Sequence, residues 1–337
     1  MERQLTRAWY DERARPSLLQ PLGWVYGALL AVRRRAYAAG WLSSASVGRP
    51  VVVVGNLTVG GTGKTPLTVW LARELSSSGL SVGIVSRGYG SRDSGTPRAV
   101  EAGSSWRQVG DEPLILARRS ACPTVVASDR VAAARTLAAR VDVILADDGL
   151  QHLHLARDCE IVVIDGTRGF GNGRLLPAGP LREPLARLRQ ADAIVLNGAP
   201  AHASLRGLAG DALTMLLSSE EAVSLAGLEP PRSLATFSGR PVHAVAGIGN
   251  PSRFFAALRA CGIEVREHAF PDHHPLTRAE LSFGDDLPVL MTEKDAVKCA
   301  PVSDPRLWYV PVTAQFSAVQ ARELLARVLV KVQGAAP

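Results

Sequence analysis

The chain has 337 residues, 47% hydrophobic and 20% charged, with a formal net charge of +7. That length accommodates two domains and a sizeable core, and the apolar-to-charged balance excludes an intrinsically disordered chain. The arginine-rich positive excess admits nucleic acid, an anionic membrane or a phosphorylated substrate as partner, and charge alone does not choose among them.

In chain order, the first distinctive segment is apolar, Pro21-Leu22-Gly23-Trp24-Val25-Tyr26-Gly27-Ala28-Leu29-Leu30-Ala31-Val32, followed at once by Arg33-Arg34-Arg35. A helix of that length rises about 18 Å, short of the roughly 30 Å hydrocarbon core, so it does not span a bilayer. Arginines continue after the apolar run and no small-residue cleavage site follows it, which argues against a signal peptide. Trp24 and Tyr26 beside an apolar face, with Arg13 and Arg15 ahead, suit an amphipathic helix lying among lipid headgroups. A helix packed on the protein's own core fits the same pattern.

Val51-Val52-Val53-Val54 is a strand-forming run that leads into Gly55-Asn56-Leu57-Thr58-Val59-Gly60-Gly61-Thr62-Gly63-Lys64-Thr65-Pro66. Strand, glycine loop and then helix is the order that a phosphate cradle needs. Glycines let backbone N–H groups turn toward phosphate oxygens, Lys64 reaches the β- and γ-phosphates, and Thr65 offers a hydroxyl to Mg²⁺. The predicted cradle is Thr58, Val59, Gly60, Gly61, Thr62, Gly63, Lys64 and Thr65, with a helix from about Thr65 to Leu75. Thr58 stands where the usual pattern has its first glycine.

Strands are then predicted over Ser81–Ser86, Pro123–Ala127, Val141–Ala146, Ile161–Ile164 and Ala193–Leu196, with an Ala-rich helix over Arg130–Arg140. Near-continuous apolar strands separated by helices indicate a parallel sheet covered on both faces, with functional groups past the strand C-termini. Asp147-Asp148-Gly149 lies at such a position and predicts a metal-directed carboxylate with a second beside it. Gly169–Pro184 is too rich in glycine and proline for regular structure and reads as a long functional loop. A second, smaller α/β unit starts at Pro241–Pro251, with strands at Glu264–Ala269 and Val289–Thr292. The expected organisation is a membrane-associating segment over 1–40, a P-loop NTPase-like core over 41–235 and a smaller α/β domain over 236–337. Four cysteines, Cys122, Cys159, Cys261 and Cys299, lack C-x-x-C spacing, so reduced thiols are expected.

With these segments placed, the chain resembles the tetraacyldisaccharide 4′-kinase (lipid A 4′-kinase) family. The resemblance rests on Val54–Pro66, Ser86-Arg87-Gly88-Tyr89-Gly90, Val109-Gly110-Asp111-Glu112-Pro113, Asp147-Asp148-Gly149-Leu150-Gln151-His152, Leu176–Pro184, Ala246–Pro251, Phe270-Pro271-Asp272-His273-His274 and Thr292–Lys298. Leu150 departs from an expected Phe, and Thr58 looks like a trait of the family itself. The resemblance implies transfer of the ATP γ-phosphoryl group to the 4′-hydroxyl of tetraacyldisaccharide 1-phosphate, with ATP and Mg²⁺ as cofactors. It also implies work at an anionic membrane surface on the cytoplasmic face of the inner membrane, and no nucleic-acid partner. The family's pattern points to Asp111 paired with His273 as the base, without saying which takes the proton. His274 competes with His273, and Asp272 is a candidate to orient it. Lys64 joins them as a catalytic candidate, with Thr65, Asp147 and Asp148 as metal candidates. Arg87, Tyr89, Arg130, Gln151, Arg182 and Glu183 are candidates for nucleotide or head-group contacts. The rival from another class is a membrane-associated P-loop ATPase switch, which needs neither Asp111 nor the Asp-His-His loop. A kinase acting on a soluble sugar is a third reading.

Overall fold

The structure, a computed structural model, describes residues 9–10, 18–88, 95–101, 103–208, 210–299 and 303–335. Tyr89, Arg13 and Arg15 lie outside these residues.

Strand β1 (Val51–Gly55) is buried on both faces: Val52 and Val54 enter one core layer, Val51 and Val53 the other. A strand with no polar face needs cover on both sides, which helices flanking a parallel sheet supply. Helix α1 (Gln20–Ala38) precedes it. There follow α2 (Lys64–Ser77), β2 (Val82–Ser86), β3 (Arg98–Ala99), α3 (Trp106–Val109), α4 (Asp111–Ser120), β4 (Thr124–Val126), α5 (Arg130–Ala138), β5 (Val143–Asp147), β6 (Cys159–Asp165), β7 (Ala193–Asn197) and β8 (Leu213–Ser218). The larger sheet also takes in β15 (Thr313–Gln315), in the order β15-β8-β7-β6-β1-β5-β2-β4-β3. Its pairs are parallel from β8 to β4, with antiparallel edges at β3 and β15. The strand order reverses direction around β1, the position at which open α/β sheets bind ligands.

The smaller sheet has the order β10-β9-β14-β13-β11-β12, built from β9 (Glu221–Ser224), β10 (Arg232–Ser233), β11 (Pro241–Ala246), β12 (Glu264–Ala269), β13 (Val289–Thr292) and β14 (Leu307–Val310). Helices α6 (Pro251–Ala260) and α7 (Glu293–Ala296) belong to this unit. Its core centres on Trp308, Phe237, Phe255 and Leu290.

The boundaries expected at 235 and 337 need correction. The chain changes sheets between Ser218 and Glu221, and it returns at Thr313 to pair β15 with β8. The last helix, α8 (Ala318–Gly334), packs Leu324, Val328 and Val332 into the larger core. The apolar stripe of that helix was available to either sheet by sequence, and tertiary packing decides it.

Helix α1 packs one side on the protein, as one reading of its sequence expects, and leaves the other side open. Gly23 and Gly27 let it approach the Leu175–Ala178 segment so closely that a Cβ at Gly27 would lie 2.9 Å from Leu175. Tyr26 and Arg33 tie it down by bonds of 3.1 Å to the carbonyls of Arg182 and Gln151. The opposite side leaves Leu22, Trp24, Val25, Leu29 and Val32 exposed. No helix among the described residues is long and apolar enough to cross a membrane.

Candidate active site

The loop from Gly55 to Lys64 is held by side chains from both sides. Asn56 Nδ2 donates to Thr58 O at 2.8 Å, and Asn197 Nδ2, at the end of β7, donates to Thr62 O at 3.0 Å. Gly63 adopts φ +98°, and a Cβ there would lie 2.9 Å from Asn197, so only glycine fits. Lys64 Nζ meets Asn56 Oδ1 at 3.2 Å and Asp148 Oδ1 at 3.7 Å. Thr65, the second residue of helix α2, is buried.

Register places the acidic pair beside this loop: Val54 on β1 pairs with Asp147, the last residue of β5. Sequence reading ended that strand one residue earlier. Asp147 is 1% exposed; its Oδ1 accepts from Thr68 Oγ1 at 3.2 Å, while its Oδ2 is buried without a hydrogen-bond partner among the described residues. Burial raises its pKa to about 7, with Glu112 and Asp148 adding to the shift and Lys64 opposing it. Asp148, at φ +48°, is opposite in character. Burial pushes its carboxyl up, but Lys64 and the two-pronged hydrogen bonds of Arg182 (3.1 and 2.6 Å) hold it well below the carboxylate range. One carboxylate thus keeps an oxygen without a hydrogen-bond partner among the described residues, while its neighbour is held by Lys64 and Arg182. The fit to Mg²⁺ is good: a buried, unpartnered oxygen stands near a hydroxyl, and this ion takes one or two carboxylates and draws its other ligands from phosphate and water. Among the described residues, no three His, Cys, Asp or Glu side chains group into a cage that would hold a metal unaided.

Arg130 and Gln151 gather around Asp148, whereas Glu183 and Arg87 lie apart from it. Arg130, buried, donates to Asp148 O at 3.1 Å. Gln151 donates to Asn56 O at 3.3 Å and accepts from Arg182 through its Oε1. Glu183 is buried with its pKa raised by burial against the pull of Arg34, which lies 3.7 Å away on α1. Arg87 is exposed just past β2.

The second unit reaches this site from the C-terminal ends of its own strands. Gly110, at φ +91°, turns the chain so that Asp111 begins α4, and Asp111 accepts from its own neighbour Glu112 N at 2.9 Å. His273 follows β12 at φ +59°, anchored through its N–H to Gly247 O at 3.2 Å. Its Nδ1 lies 3.1 Å from Asp111 Oδ2. The hydrogen bond to Asp111 raises the His273 pKa above 6.5 against burial. Burial pushes Asp111 up, but His273, Lys294 and Lys298 outweigh it and the carboxyl lies below 3.8. His274 faces elsewhere, 2.8 Å from Glu280. Asp272 Oδ1 is 3.9 Å from His273 Nε2 and accepts from the His273 backbone N–H at 3.1 Å.

The structure therefore brings together Lys64, Thr65, Asp147, Asp148, Arg130, Gln151, Arg182 and, across the cleft, Asp111 with His273. Sequence reasoning missed Asn56, Thr68, Glu112, Asn197 and Lys294. Asn197 carried a usable signal, a polar residue ending an apolar strand; Thr68, one turn into a helix, carried none.

A glycine loop closing on Lys-Thr at the switch point of a parallel sheet, with a buried carboxylate one strand away, defines a phosphate-loop nucleotide-binding protein. The second unit adds a carboxylate–imidazole pair that such a fold does not require for nucleotide binding alone. The family profile described as LpxK, tetraacyldisaccharide-1-P 4′-kinase, matches residues 15–330, and the chain belongs to this family. A tetraacyldisaccharide 4′-kinase of Alkalilimnicola ehrlichii is 51% identical over 312 residues, 89% of each chain. One of Xanthomonas campestris is 48% identical over 330 residues, 95% of this chain and 94% of that one. Among solved structures, the apo form of LpxK from Aquifex aeolicus in complex with ATP superposes with a TM-score of 0.77 at 29% identity, covering 93% of this chain and 98% of that one.

Proposed function

We propose that this chain transfers the γ-phosphoryl group of ATP to the 4′-hydroxyl of tetraacyldisaccharide 1-phosphate, in lipid A biosynthesis. The observation that carries the reading is the 3.1 Å pairing of Asp111 and His273 between the two units, next to Glu112, whose charge acts on Asp147. A switch that only hydrolyses nucleotide has no need of it.

Phosphoryl transfer calls for positioning and charge neutralisation, plus a group that accepts the hydroxyl proton. The amides of Gly60–Thr65 and the Lys64 ammonium hold the phosphates, since the Val59 amide is already donated to Pro180 O. Thr65 and Asp147 would hold Mg²⁺, with Asp148 beside them. That ion, when bound, neutralises charge on the phosphates and orients them. Arg182 is fixed by Asp148 and Gln151 at the mouth of the loop, where it can meet an anionic head group. Asp111 orients the His273 ring through Nδ1, so the pair takes the acceptor's proton while its charge stays balanced.

The exposed apolar side of α1, next to Arg33, Arg34 and Arg35, supports attachment to an anionic membrane surface, where an acylated acceptor resides. The +7 charge is thereby accounted for without nucleic acid. The deciding experiment incubates the full chain with ATP, Mg²⁺ and tetraacyldisaccharide 1-phosphate and follows phosphate into the lipid. Robust ATP hydrolysis with no transfer overturns the kinase reading in favour of a switch.

A further inference from the structure

One cation that crosses the cleft has no part in the chemistry above. Arg253 stands in the first turn of α6, on the second unit, yet its guanidinium bonds to the first: Nη1 to Asp165 Oδ2 at 3.2 Å and Nη2 to Asn197 Oδ1 at 3.3 Å. Both acceptors are buried, at the C-terminal ends of β6 and β7. Both are also tied to the phosphate loop. Asn197 donates to Thr62 O at 3.0 Å, and Asp165 lies 3.4 Å from Arg168, which donates to Gly61 O.

Among the described residues, the other crossing ion pairs land on a different element. His273–Asp111, Lys294–Glu112 and Glu293–Arg119 all engage α4. Contacts along one edge leave two bodies able to rock about that edge, whereas a contact on a second edge fixes their angle. We propose that Arg253 is a positioning residue that latches the second unit against the strand ends that hold the phosphate loop and so fixes where His273 stands relative to it. The two acceptors suit this task better than a static structural one. Each offers a buried oxygen to a side chain that is itself 47% exposed, so the bond breaks and re-forms without opening a core.

The consequence for turnover rests on the kinase reading; the latch itself does not, and the test separates the two. The same exposure makes truncation of Arg253 compatible with folding. Full-length R253A, R253K and wild type are compared by hydrogen exchange across residues 56–63 without substrate, and by steady-state transfer from ATP to the lipid acceptor. R253A is expected to exchange about fivefold or more faster in the loop. Its kcat should fall about tenfold or more, with KM for ATP within about threefold of wild type. R253K, which keeps a charge opposite Asp165, recovers part of both effects. Unchanged loop exchange in R253A overturns the latch whatever the activity. A raised KM for ATP with unchanged kcat overturns it in favour of a simple nucleotide contact. Wild type that transfers no phosphate overturns the kinase reading instead, and the exchange data still decide on the latch.

Discussion

Asp147→Asn should make the nucleotide-free protein more stable while removing its activity. The Asp147 carboxyl is buried with one oxygen unpartnered, and its pKa rises from 3.8 unfolded to about 7 folded. The folded state therefore binds more protons than the unfolded chain between those values, so stability falls as pH rises through this window and the full penalty is present above pH 7. A shift of that size corresponds to about 2–4 kcal/mol, allowing for its coupling to Glu112 and Asp148. Asparagine keeps the acceptor for Thr68 and carries no charge. Urea unfolding at a series of pH values should show the variant gaining about 2–4 kcal/mol on wild type at pH 8 and nothing near pH 4. Saturating Mg²⁺ and ATP should narrow the gap by stabilising wild type more. A gap that does not depend on pH, or a variant less stable at pH 8, would refute the assignment of Asp147 as a strained carboxylate waiting for a cation.

Asp111→Asn removes the partner that raises the His273 pKa, so the acid limb of the kcat–pH profile should move to lower pH while the plateau drops about 10²–10⁴-fold; an unmoved limb contradicts the pairing. The pair's own contribution to stability has a defined window: the Asp111 share is lost as pH falls below its depressed pKa, and the His273 share is present below 6.5 and lost as pH rises through its raised value. Lys64→Ala should abolish the thermal shift produced by ATP, since it removes the cation that serves both the phosphates and Asp148. Val25→Glu with Leu29→Glu takes two exposed apolar groups off α1 at about 1.5–3 kcal/mol each, so binding to anionic vesicles should weaken about 100-fold or more while the unfolding transition stays put.

What the sequence made legible was local. A four-valine strand before a glycine loop, and two aspartates after an apolar strand, announce themselves because their neighbours in the chain are also their neighbours in space. The return of residues 313–334 to the larger sheet was not legible, because an amphipathic helix near the C-terminus does not declare which apolar face it will cover. Nor was the convergence of Asp165, Asn197 and Arg253, three polar residues whose only common feature is the cleft they share. Leu150, in place of the expected phenylalanine, is fully buried against the root of the loop, where a Cβ on Gly55 would lie 2.6 Å from its own Cβ. It is a packing residue, so the departure leaves the site's chemistry intact.

Thr58 shows how a long-range contact can rewrite a short motif. A glycine at that position is required only if the backbone turns left-handed or phosphate approaches too closely for a Cβ. Thr58 is not among the residues with positive φ, and its backbone forms an antiparallel bridge with Leu181. On either side, Val59 N donates to Pro180 O at 2.9 Å and Arg182 N to Leu57 O at 2.6 Å. The Gly- and Pro-rich segment 169–184 thus pairs with the start of the phosphate loop as a short strand would. That pairing keeps Thr58 extended, and it delivers Arg182 to Asp148 and Gln151. The missing glycine and the placement of Arg182 have one cause: in this chain the phosphate loop is braced by the segment that carries Arg182, so a residue with a side chain is tolerated at Thr58.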